Sequence, residues 1–71
     1  MKAHFFRVDR SRHVYLTFIT ESYDGLCTVS TVDNAKGIVR IMAPPGREAE
    51  LLGLLIALEK EIGMEEVDWP D

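Results

Sequence analysis

The sequence predicts an α+β domain in the order β-α-β-β-α-β, with a four-stranded antiparallel sheet and both helices on one face. Three observations predict it. Two segments repeat apolar residues every three or four positions, short stretches rich in β-branched and aromatic residues lie around them, and Gly, Pro and Asp clusters separate the two kinds. At 71 residues, the whole span 1–71 reads as one domain, without repeats or linkers.

The first element is "AHFFRV", Ala3 to Val8, a strand by its β-forming content. In the "DRS" that follows, Asp9 and Ser11 are suited to cap a helix, because their side-chain oxygens accept unpaired backbone N–H groups. From Arg12 onward, Val14, Tyr15, Phe18, Ile19, Ser22 and Tyr23 fall at helical spacing and predict the apolar face of the first helix, with Gly25 as its stop. "LCTVSTV", Leu26 to Val32, is the second strand, and "DNAKG" turns the chain into "IVRIMA", Ile38 to Ala43. After "PPG", residues 47–62 form the clearest helix. Leu51, Leu55, Leu58 and Ile62 line one face, Leu54 widens it, and Glu48, Glu50 and Lys60 sit where the helix dipole favours their charges. Gly63 ends that helix and Met64 folds back on Leu58. "EEVDW" is then a short edge strand closed by Pro70. This order is the ferredoxin-like split βαβ arrangement.

Alternation along the strands separates two faces. Cys27, Val29, Val39 and Ile41 are expected to meet the helices. Leu26, Thr28, Ser30, Val32, Ile38, Arg40 and Met42 are expected on the helix-free face. An open face carrying Leu26, Val32, Ile38, Arg40 and Met42 is an interface candidate. Size points the same way. A 71-residue core is marginal, and the chain has one cysteine, so no internal disulfide, and no zinc-ligand spacing from His4, His13 and Cys27. Self-association into a homodimer is the remaining staple.

Charge and hydropathy exclude several classes. The net charge is −4, yet Lys2, Arg7, Arg10 and Arg12 against Asp9 give the first twelve residues +3, while four cations against eleven acids leave the rest at −7. Non-specific nucleic-acid binding needs a broad positive surface, which this balance does not supply. "KGIVRIMA" opens with the Lys-Gly of an RNA-recognition strand. It then offers Ile38, Val39 and Ile41 where base-stacking rings are needed, so nucleic acid is not the expected partner. The longest apolar run, Leu51 to Leu58, is too short to cross a bilayer, and "MKAHFFRVDR" lacks the apolar core of a secretion signal. A cytoplasmic protein with reduced Cys27 is expected.

No nucleophile elbow, phosphate loop or metalloprotease motif is present. Cys27 reads as a small buried hydrophobe, His4 and His13 as surface or sheet-edge residues, and His13 has no orienting partner. A non-enzyme is expected, without catalytic residue, cofactor or metal. Binding is the better prospect. In the loop Asp9, Arg10, Ser11 and Arg12, free N–H groups, the positive helix end and two guanidinium groups favour an anion. The competing reading is that Asp9 or Ser11 already caps those donors. Glu21 and Asp24, three residues apart, share one side of the first helix near its end. Tyr23 is read as packing and Asp24-Gly25 as the turn. Glu21 stands out as an acid where the dipole prefers a cation, and is included as a binding candidate. Gly53, within the second helix, costs about 1 kcal/mol relative to Ala, which a close approach by another backbone would explain.

The βαββαβ order at this length resembles the ACT domain, a regulatory module that pairs in dimers and binds amino acids at the interface. Asp9 matches the start of the turn after its first strand, whereas the glycine usual there is missing from "VDRSRH". Val8-Asp9-Arg10, Glu21 to Gly25 and Thr31 to Asp33 together resemble a family of short uncharacterised bacterial proteins, a domain of unknown function, which brings no catalytic residues. The expected function is a non-enzymatic regulatory or ligand-binding homodimer taking a small anionic metabolite or an amino acid. The alternative is a subunit that docks another protein through the open sheet face.

Overall fold

The computed structural model describes residues 3–23 and 25–69. The fold is α+β, with a four-stranded antiparallel sheet and two helices. The elements are β1 (Ala3–Arg7), a 3₁₀ turn (Arg10–Arg12), α1 (His13–Glu21), β2 (Thr28–Asp33), β3 (Ile38–Met42), α2 (Glu48–Ile62) and β4 (Glu65–Glu66). The strands lie in the order β2-β3-β1-β4. β1 pairs with β3 from Ala3↔Met42 to Arg7↔Ile38, and β2 pairs with β3 through a bulge between Thr31 and Asp33 that takes up Val32.

The core joins one sheet face to the helices. Phe6, Val8, Val39 and Ile41 pack with Leu16 of α1 and with Leu51, Leu55, Leu58 and Ile62 of α2; Val29 and Cys27 lie against the same cluster. That is the strand set expected to face the helices. The α2 reading holds to within one residue. Gly63 takes the left-handed conformation, φ 74°, that ends the helix, and Met64 is buried in the core. Asp24 and Pro70, both given roles from the sequence, lie outside the described residues.

Five expectations are corrected. α1 turns Leu16, Ile19 and Thr20 inward, and Val14 and Phe18 are 81% and 68% exposed. The pattern of α1 is apolar almost all round, so spacing alone could not select its buried side. Leu26 precedes β2 instead of opening it and is 1% exposed in the core, not on the open face. Ile38 is also buried, so it offers no open surface either. His4 lies on the helix side of β1 and is buried, with its Nδ1 3.9 Å from Glu66 Oε2. Gly53 is exposed, and a Cβ there would meet nothing within 4 Å, so no neighbouring backbone of this chain accounts for it.

Gly37 is the residue that locks the end of the sheet. It has φ 72° and accepts the Val8 N–H through its carbonyl at 2.8 Å. A Cβ at this position would lie 2.7 Å from Val8 O. Only glycine tolerates both the left-handed backbone and that approach. The tip of the β2–β3 hairpin is thereby held against the end of β1.

Candidate functional site

The turn after β1 satisfies its own donors. Asp9 Oδ1 accepts the Ser11 N–H at 3.0 Å and the Ser11 hydroxyl at 2.9 Å. Arg12 N–H donates to Asp9 O at 2.8 Å, and His13 Nε2–H donates to Val8 O at 2.9 Å. Acceptance of the Ser11 N–H, then of the Ser11 hydroxyl, holds the Asp9 carboxyl below its ordinary value. The Ser11 and Arg12 N–H groups are therefore already satisfied within the turn, as the capping reading expects. Ser11 and Arg12 are exposed and line none of the clefts described below.

Arg10 does meet other cations. It lines a cleft of about 350 Å³ with Arg7, Asp9, Lys36, Gly37 and Glu65. The fold builds this cleft by laying the hairpin tip beside the end of β1, with the start of β4 on the other side. Arg7 forms an ion pair with Glu65. Asp9 is engaged with Ser11, and Asp33 Oδ1 accepts the Lys36 N–H at 2.9 Å, which fixes the turn that carries Lys36. Glu65 is thus engaged by Arg7 and Asp9 by Ser11, which leaves Arg10 and Lys36 as the cleft cations with no ion pair among the described residues, in a chain whose net charge is −4. A second cleft, about 410 Å³, shares Arg7 and Lys36 and adds Ile38, Val67, Asp68 and Trp69. Lys36 Nζ lies 5.8 Å from the centroid of the Trp69 ring.

Glu21 belongs elsewhere. α1 rises about 1.5 Å per residue, so Glu21 stands roughly 12 Å along the axis from His13, away from the Asp9–Arg12 turn. It borders an open groove on α1 with His13, Val14, Thr17 and Phe18. Among the interface candidates, Arg40 is exposed opposite Phe5 and Ser30, Met42 and Val32 are half-buried, and Leu26 and Ile38 are buried. Large exposed apolar side chains stand on the helices, Val14 and Phe18 on α1 and Leu52 and Ile56 on α2; Tyr23, read from the sequence as packing, is also exposed, at 47%, just past α1. Tyr15 of α1 donates its hydroxyl hydrogen bond to Glu61 of α2, tying the two helices together.

Cys27 is half-buried against the core, and burial pushes its thiol pKa up, which disfavours the nucleophilic thiolate. Among the described residues, no group of three or more His, Cys, Asp or Glu could hold a metal ion, and no helix is long and apolar enough to cross a membrane. Arg7, Lys36 and Trp69 were not singled out as binding residues by sequence. Placing β3 next to β1 is the step that brings Lys36 beside Arg7, and no local motif encodes it.

Fold and site together define a small α+β domain with a cationic cleft where a β-hairpin tip meets its first strand. The chain belongs to the DUF4911 family, a domain of unknown function, whose pattern matches residues 6–62. That stretch contains Arg7, Asp9, Arg10, Lys36 and Gly37, and stops before β4 and Trp69. No curated protein and no solved structure matches the chain.

Proposed function

We propose that this domain is a non-enzymatic, cytoplasmic ligand-binding module that holds a small anion, an amino-acid carboxylate or another anionic metabolite, in the Arg7–Arg10–Lys36 cleft. One observation carries the reading: Arg7, Arg10 and Lys36 converge on one cleft in which Glu65 is engaged by Arg7 and Asp9 by Ser11, and Arg10 and Lys36 form no ion pair among the described residues. Cations so placed favour a bound anion over bulk counter-ions. The lone free thiol of Cys27 suits a reducing compartment. For the fold, we favour the ferredoxin-like, ACT-like arrangement. In its support, β1 and β3 are central, β2 and β4 flank them, and each helix lies between strands that are not neighbours in the sheet.

Thermal-shift measurement against amino acids, nucleotides and inorganic phosphate tests the binding reading. A ligand at a hundred times its dissociation constant adds about 2.7 kcal/mol. The double variant Arg10→Ala/Lys36→Ala should keep the fold and lose the shift. No stabilisation by any of these anions, or stabilisation that survives the double variant, overturns the reading.

The domain is also proposed to act as a homodimer, and the exposed apolar residues favour the helix layer over the open sheet face as the pairing surface. Val14 and Phe18 stand exposed on α1, with Leu52 and Ile56 on α2, whereas Leu26 and Ile38 are not available on the sheet. Exposed apolar groups of this size on a small domain mark an association surface.

A further inference from the structure

We propose that the anion carries a flat aromatic ring, and that the ring sits in the second cleft against Trp69 while the charged group is held by Arg10, Arg7 and Lys36. This rests on the anion reading and narrows its ligand class.

The two clefts are not independent. Both include Arg7 and Lys36, so a ligand held by those side chains borders both spaces at once. Their other walls differ in character. The first adds Arg10, the capped Asp9 and Glu65, which Arg7 engages; the second adds Ile38, Val67, Asp68 and Trp69. Each volume, about 350 and 410 Å³, is of the size small-molecule sites have. Lys36 couples the two chemistries, because its ammonium lies 5.8 Å from the Trp69 ring centroid. An anion paired with Lys36 therefore brings whatever it carries within reach of the indole. Val67 and Trp69 are only half-buried, so they retain surface to cover a ring, while Ile38 beneath them is already buried. Val67 is fixed in place by its N–H, which donates to Phe5 O at 2.9 Å. Arg10 borders only the first cleft, and the apolar Ile38, Val67 and Trp69 border only the second, which orients the ligand with its anion toward Arg10 and its ring toward Trp69.

Trp69 is the single tryptophan of the chain, so its fluorescence reports on this cleft alone. The probes are two matched pairs, phenyl phosphate with inorganic phosphate and phenylacetate with acetate, titrated into the full chain by fluorescence and calorimetry. Stacking on an aromatic side chain should make at least one aromatic member about tenfold tighter than its partner. It should also perturb Trp69 emission. Trp69→Leu should remove that advantage, so that the aromatic member of each pair binds no tighter than its bare anion; Trp69→Tyr, which keeps a ring, should retain it by calorimetry. Equal affinities within both pairs, or an advantage that survives Trp69→Leu, overturn the proposal. If bare anions bind and Arg10→Ala abolishes their binding without any aromatic preference, the anion reading stands and this inference falls. If no probe binds, both fall.

Discussion

Gly37→Ala perturbs the point on which the cleft and the sheet both depend. The added methyl would stand 2.7 Å from Val8 O, and that carbonyl cannot retreat freely, because Val8 is buried in the core and its N–H is bonded to Gly37 O. The φ of 72° costs a non-glycine residue about 1–2 kcal/mol. Relieving the clash means lengthening a strand-end hydrogen bond, at about 1 kcal/mol. The sum is roughly 2–3 kcal/mol, a large share of the roughly 4–10 kcal/mol typical of a domain this size. For such a domain it corresponds to a fall in Tm of about 10–20 °C. Urea titration followed by circular dichroism measures it, with unchanged m-value expected because the unfolding surface is the same. Gly46→Ala is the control. It has φ 90° but nothing within 4 Å of an added Cβ, so it reports backbone strain without the clash. If Gly37→Ala costs no more than Gly46→Ala, the close approach does not constrain the hairpin and the reasoning fails.

Three further outcomes are expected. Gly53→Ala should stabilise the isolated chain by about 1 kcal/mol in urea titration, since the site is exposed within α2 and open around the added methyl; a loss would mean that something covers this face. Phe18→Glu should convert a dimer to a monomer in light scattering while leaving the circular dichroism spectrum unchanged, whereas a wild type that is monomeric at tens of micromolar contradicts the helix-layer pairing. Asp9 has a folded-state pKa below the 3.8 of the free group, so its contribution is present above that value and is lost as the pH falls through the lower folded one. The stability gap between wild type and Asp9→Ala should therefore be constant at neutral pH and shrink in the acid limb, and a gap that widens on acidification would refute the cap.

Much of the fold was legible because its signals are local. Leu51, Leu55, Leu58 and Ile62 occupy one face of α2 at helical spacing, Gly63 stops it, and the Asp33-to-Gly37 turn joins two β-rich stretches. α1 was legible as a helix but not in its orientation. Val14 and Phe18 are as apolar as Leu16 and Ile19, so burial was decided by the sheet they pack on and not by their own pattern. The alternation failed at Leu26 because the strand starts two residues later, and at Ile38 because that end of the face is buried, where Ile38 lines a cleft with Val67 and Trp69 of the segment after β4. The site was half legible. Asp9 and Ser11 carry a capping signal in four residues of sequence, and the cap is what forms. Arg10 was found for its charge. Its partners Arg7 and Lys36 lie 3 and 26 positions away, and only the β1–β3 register brings the second of them near. Glu21 was singled out for its unfavourable place on the helix dipole, which says nothing about a neighbour, and it lies on a different surface.

The central claim is that Arg7, Arg10 and Lys36 form one anion-binding cleft. Amide chemical-shift mapping during titration with inorganic phosphate tests it at residue resolution. The account predicts saturable shifts clustered at residues 7–10, 36–38 and 65, abolished in Arg10→Ala/Lys36→Ala. Shifts centred instead on Ser11 to His13 or on Glu21, or none at all with every anion tried, would contradict it.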